Sequence, residues 1–247
     1  LQAGAALAAA RPLAWEYALL LLVSVLWAGS YVWVKIGLET MPPLTLMAGR
    51  IVTAGLFLLA IMHVTGRRLP TDRHTWRMCA VQGALATVLP FSLVAWGQQW
   101  VDAGATAILN SVSPVFVFLI TWGLTRHEPA TATKLIGVVA GLGGVLVVMG
   151  PTAIGSLGKS TWPQIAIVLS SLSYAVGAIF ARNFRAADPI TSAATAMICA
   201  SALIVPLALV SEPPWTYTAS WTAVKCVLAL GVLSTGFGFM IYFRLVR

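Results

Sequence analysis

Residues 17–38 read YALLLLVSVLWAGSYVWVKIGL, with Lys35 as the only charge. At the α-helical rise such a run crosses a hydrocarbon core of ~30 Å. Inside lipid the backbone must satisfy its own hydrogen bonds, so the run reads as a helix. It is too long for a signal-peptide core and no small-residue cleavage site follows it, which makes it a retained span. Working outward, runs of similar character recur at Leu44–Val64, Met78–Trp100, Ala103–Leu124, Leu135–Gly150, Trp162–Ala181, Ile190–Val210 and Trp221–Phe243. About eight membrane spans are therefore expected. The breaks carry residues that stop helices: Pro42-Pro43, Gly66 to Pro70, Glu128-Pro129, Gly150-Pro151, Asp188-Pro189 and Pro213-Pro214.

Composition agrees with a lipid solvent. Of 247 residues 59% are hydrophobic and 9% charged, with a mean hydropathy of +0.90, against roughly 25% charged in ordinary soluble domains. The net charge of +8 does not call for nucleic acid, because cations gather in the loops on one side of a membrane protein and meet anionic headgroups there. Cys79, Cys199 and Cys226 lie in or beside apolar runs without metal-ligand spacing and read as packing residues. The chain starts at Leu1 and stops at Arg247 directly after an apolar run, so a fragment of a longer protein is expected.

Counting cations orients the bundle. With the N-terminus cytoplasmic, the inner loops and ends hold Arg11, Arg67, Arg68, Arg73, Arg77, Arg126, Lys134, Arg182, Arg185, Arg244 and Arg247, while the outer side holds Lys159 and Lys225. This bias places the N-terminus inside. Trp100, Trp162, Trp215 and Trp221 then fall at the outer interface, where amphipathic rings favour headgroup depth.

Shifting the chain by 147 residues lays Leu22, Ser24, Ala28, Pro42 and Leu56 on Leu169, Ser171, Ala175, Pro189 and Leu203. The same shift lays Trp27 on Tyr174 and Lys35 on Arg182. Five spans separate the two copies, and an odd number inverts the second in the membrane. Inverted repeats of this kind put a pathway at their interface.

Together these residues resemble the EamA-type transporters of the drug/metabolite transporter superfamily. The resemblance is carried by Trp27-Ala28-Gly29-Ser30 with Lys35, by Pro42 and Arg50, by Ala105 to Pro114, and by Arg126-His127-Glu128 followed by the glycine-rich Gly137 to Val145. It implies an all-α integral membrane bundle of two inverted five-helix repeats that exports amino acids, other metabolites or toxic compounds, with ten helices of which about eight are present here. It also implies a bacterial inner-membrane location and this division: a cytoplasmic segment at 1–15, a first repeat at 16–150, a linker at 151–160 and an incomplete second repeat at 161–247.

Six residues form the candidate substrate site: Trp27, Tyr31, Arg50, Trp96, Asn110 and Tyr174. A cation inside a span costs on the order of 2.5–3.5 kcal/mol on insertion scales and faces protein or water, so Arg50 either snorkels to the headgroups or holds a carboxylate. Its mate in the repeat is Met197, so the charge is not part of the symmetric framework. The rings of Trp27, Tyr31, Trp96 and Tyr174 lie away from the headgroup belt and either pack helices or stack on substrate. Asn110 must find a partner, and Pro114 frees a carbonyl one turn before it, which leaves a helix–helix bond or a substrate contact. Lys35 and Arg182 are candidate rim or gating residues, with Glu39 in reach of Lys35. Gly137 and Gly141, four apart, read as a close-packing signal.

The seven acids and three histidines all sit in loops or near span ends. No buried proton-carrying carboxylate is present in these spans, and no phosphate loop, metal cluster or nucleophile motif appears. The expected function is a secondary transporter, exporter or facilitator, of amino acids or similar small metabolites; a membrane-embedded enzyme on lipid substrates and a non-transporting scaffold are the alternatives. No cofactor and no metal are expected. The expected partners are a small-molecule substrate and membrane lipid, without nucleic acid, and a homodimer is left open.

Overall fold

A computed structural model describes residues 13–125, 161–184 and 188–245, together with isolated helical positions between 133 and 147. Among these residues all regular structure is helical, and seven helices are long and apolar enough to cross a membrane: α1 (Trp15–Gly37), α2 (Pro43–Val64), α3 (Arg73–Gly97), α4 (Ala103–Gly123), α5 (Thr161–Phe180), α6 (Pro189–Ser211) and α7 (Trp221–Tyr242). These are the first four and the sixth to eighth expected spans. The fifth, Leu135–Gly150, falls mostly outside the described residues, as does the 151–160 linker. Observed ends agree with expected ones to within a few residues. The exception is α3, which begins at Arg73 because Asp72 caps it, its carboxylate accepting from the Thr75 N–H at 2.7 Å. This lets a polar turn join the helix ahead of the apolar run.

Contacts between connections fix the threading. The α1 end meets the α3–α4 connection through Lys35. Thr40, after α1, meets Ser220, before α7, at 2.9 Å. The carboxylate of Glu212, after α6, accepts from the N–H groups of Leu44 (3.0 Å) and Thr45 (2.7 Å) at the start of α2. A negative group there satisfies donors that a helix start leaves free. At the other end Arg67, after α2, forms an ion pair with Asp188, before α6, at 3.1 Å. Burial raises the Asp188 carboxyl, but hydrogen bonds from Thr191 and the Arg67 charge outweigh this and hold it below the usual aspartate value. The chain thus runs up and down between an arginine-rich end and an opposite end where Trp100, Trp162, Trp215 and Trp221 are exposed.

The main apolar core lies along α2 and α6, where Leu46, Met47, Ile51, Ala54 and Leu58 pack with Ala193, Ala194, Met197, Ala200 and Ile204. Around this pair the contacts come in matching sets. Helix α1 lies on α7 as α5 lies on α3; α2 lies on α7 as α6 lies on α3; and α2 meets α3 as α6 meets α7. Exchanging α1 with α5, α2 with α6 and α3 with α7 therefore maps the contacts onto one another, and the exchanged helices run in opposite directions.

Helix irregularity obeys the same exchange. Helix α3 contains a π-helical turn at Ala84–Val88 and α7 contains one at Leu230–Phe237. Displaced by 147 residues, the first falls on 231–235, inside the second. Glycines stand at the start of both. A Cβ at Gly83 would lie 2.7 Å from the Ala196 carbonyl and 3.3 Å from the Ala200 Cβ of α6. One at Gly231 would lie 2.5 Å from the Thr53 Cβ and 2.9 Å from the Arg50 carbonyl of α2. Thr53 and Ala200 are themselves 147 residues apart. Helix α4 is broken at Ser111–Val112, between Ala103–Asn110 and Ser113–Ile120, as the missing N–H of Pro114 demands.

Candidate functional site

Arg50 is 6% exposed and lies about 10 Å along α2 from its Pro43 end by the helical rise. Its Nε donates to the Thr235 Oγ1 at 2.8 Å and its Nη2 to the Ser234 Oγ at 3.2 Å. The guanidinium carbon sits 3.8 Å from the centroid of the Phe91 ring, a cation–π contact. It therefore does not snorkel: it bridges the two helices that carry the matched π turns, with Phe91 three residues beyond one and Ser234 and Thr235 within the other. The contacts of Arg50 among the described residues include no acidic side chain, so its charge is held by neutral oxygens and a ring. A guanidinium has five N–H donors, and these two bonds leave the rest for something else.

Tyr174 joins this cluster through Phe91, the ring centroids being 6.2 Å apart. The Tyr31 hydroxyl accepts from the amide Nδ2 of Asn110. The Asn110 Oδ1 accepts from Ser171 at 2.8 Å and from Ser170 at 3.2 Å. The amide is thus a three-helix node joining α1, α4 and α5, which satisfies a polar group that hydrocarbon would strand. Ser171 also reaches the backbone carbonyl of Asn110 at 3.3 Å, the carbonyl that Pro114 frees.

Trp27 lies on α7. Its Nε1 donates to the Ser234 carbonyl at 3.0 Å, its ring packs near Phe239 and Tyr242, and Gly238 makes room for the indole. Trp27 thus brings an outside donor to a backbone carbonyl within the π turn. In the other half Ser173 does the same, donating to the Leu85 carbonyl in the α3 turn at 2.6 Å.

Five of the six expected site residues fall into two linked groups: Arg50 with Tyr174 through Phe91 and with Trp27 through Ser234, and Tyr31 with Asn110. Trp96 is not among them; it is 40% exposed and meets Trp100 at 5.0 Å. Lys35 donates to the Gln98 carbonyl at 2.6 Å and the Val101 carbonyl at 3.2 Å. Its charge caps the end of α3, where the helix dipole favours a cation. Arg182 stands at the arginine-rich end in the turn Ala181–Phe184. Gly137 and Gly141 belong to the fifth expected span, whose surroundings fall mostly outside the described residues. Phe91, Ser234 and Thr235 were missed from sequence; the hydroxyl pair Ser234-Thr235 inside an apolar run was the available signal. A cleft of about 280 Å³ lies nearer the tryptophan-bearing end, lined by Thr45, Gly49, Leu209, Glu212 and Tyr217 among others, and none of the candidate residues lines it.

Comparison with known proteins agrees with this architecture. Residues 14–150 and 161–247 match the EamA-like transporter family. The chain is 24% identical over 226 residues to the uncharacterized transporter YoaV of Bacillus subtilis, covering 90% of this chain and 76% of YoaV. It is 22% identical over 225 residues to the uncharacterized inner membrane transporter YedA of Escherichia coli K12, covering 90% and 71%. Protein PagO of Salmonella typhimurium is 26% identical over 236 residues, covering 92% and 75%. A solved crystal structure superposes with a TM-score of 0.69 at 16% identity, over 90% of this chain and 75% of that one, which shows a shared fold.

Proposed function

Because the chain belongs to the EamA-like transporter family, we propose that it is a secondary transporter of small metabolites bearing a carboxylate, amino acids foremost, working by alternating access between two inverted halves. The observation that carries this reading is Arg50: a buried cation held by neutral partners, between the two helices with matched π turns. An arriving carboxylate supplies charge-assisted bonds roughly twice as strong as neutral ones. The aromatic rings of Tyr31, Tyr174 and Trp27 offer stacking surface beside it. The matching contact sets of oppositely directed helices support an inverted repeat, in which rocking one half against the other exposes a central site to each side in turn. The arginine-rich end is read as cytoplasmic, in the inner membrane where YedA is named as a transporter.

The test is flux. Full-length protein reconstituted in liposomes is expected to move radiolabelled amino acids, and Arg50→Ala to abolish most of that movement for substrates with a carboxylate. A lost charged hydrogen bond is worth roughly 1.5–3 kcal/mol, or about 10- to 100-fold. Flux by Arg50→Ala and Asn110→Ala equal to the parent for every transported compound would remove these residues from the site.

A further inference from the structure

We propose that Ser234 and Thr235 are positioning residues that hold the Arg50 guanidinium and tie its occupancy to the shape of the π turn Leu230–Phe237, making substrate capture and flexing of α7 one coupled event. This rests on the reading of Arg50 as the carboxylate-binding group. Three observations converge on the turn. Its two hydroxyls are the hydrogen-bond acceptors of Arg50, its Ser234 carbonyl is the acceptor of Trp27, and its Gly231 is in close approach to the backbone of Arg50 itself. Any change in where the guanidinium points is therefore felt in the turn directly, without an intermediary.

A π turn suits this role physically. Its wider ring places one extra residue in the helix, so small rearrangements there change the helix bend. A carboxylate takes the N–H groups that Ser234 and Thr235 leave free, and the two bonds to the turn hold the guanidinium in the orientation that the carboxylate meets. The matched turn at Ala84–Val88 in α3 has its own outside donor, Ser173, but the mate of Arg50 there is Met197. Of the two π turns, only the one in α7 is hydrogen-bonded to the charge.

The experiment compares kinetics and amide hydrogen exchange in the full chain, with the proteinogenic L-amino acids as the probe panel. Thr235→Val is expected to raise the KM of a transported amino acid about tenfold and to lower the maximal rate, while Thr235→Ser, which restores the hydroxyl, returns both toward the parent. Ser173→Ala, which alters the α3 turn without touching Arg50, is expected to leave KM unchanged. Substrate should alter exchange of peptides covering 230–237 in the parent and not in Thr235→Val. If Thr235→Val does not fold, Ser234→Ala takes its place with the same expectations. Unchanged kinetics in Thr235→Val, equal damage in Thr235→Ser, or a KM shift in Ser173→Ala would overturn the proposal. Absence of flux in the parent for the whole panel would instead count against the transport reading, and a substrate-dependent exchange change at 230–237 would then still support the coupling.

Discussion

Arg50 bears the clearest conflict between stability and use. A buried charge with only neutral partners gives up several kcal/mol of hydration that those partners do not fully restore. The same framework holds a methionine at the matching position, Met197, which is 2% exposed. Arg50→Met is therefore expected to raise the unfolding free energy by about 1–4 kcal/mol while removing carboxylate transport. Thermal unfolding of the purified protein checks the first part, and a lower melting temperature would make Arg50 a structural ion instead. The residue itself was legible in sequence, since a cation inside a span stands out. Its partners were not, because they lie 184 and 185 positions downstream and only the packing of α2 on α7 brings them near. The same holds for Glu212, whose capping of α2 joins residues 167 and 168 apart.

At the scale of elements, hydropathy located the seven observed helices because the bilayer imposes both length and apolarity. What it could not locate was their internal geometry. Pro114 announced the break in α4, since a missing N–H is a local fact, but nothing local distinguishes 84–88 or 230–237 from regular helix. Those turns are set by neighbours, above all by the close approach of α2 and α6 to Gly231 and Gly83. Gly231→Ala is accordingly expected to destabilise the protein by about 1–3 kcal/mol through overpacking against Thr53. Gly29→Ala, where a Cβ meets nothing within 4 Å, should be neutral or stabilising by up to about 1 kcal/mol through helix propensity. Denaturation of the two variants side by side measures this; equal effects would mean that Gly231 is not a packing constraint.

Across the whole molecule, the weak sequence match at a displacement of 147 residues gains physical content from packing. The same displacement relates α1 to α5, α2 to α6 and α3 to α7, pairs their contacts, and superimposes their π turns. A long apolar core along α2 and α6 is tied by Glu212 at one end and by Arg67–Asp188 at the other. The central claim is that the cluster around Arg50 is reached from both faces of the membrane in turn. A single cysteine at position 174, in a background with Cys79, Cys199 and Cys226 replaced, tests it with membrane-impermeant thiol reagents on right-side-out and inverted vesicles. The account predicts labelling from either side, slowed by a transported amino acid. Labelling from one side alone, or from neither, in a folded variant would contradict it.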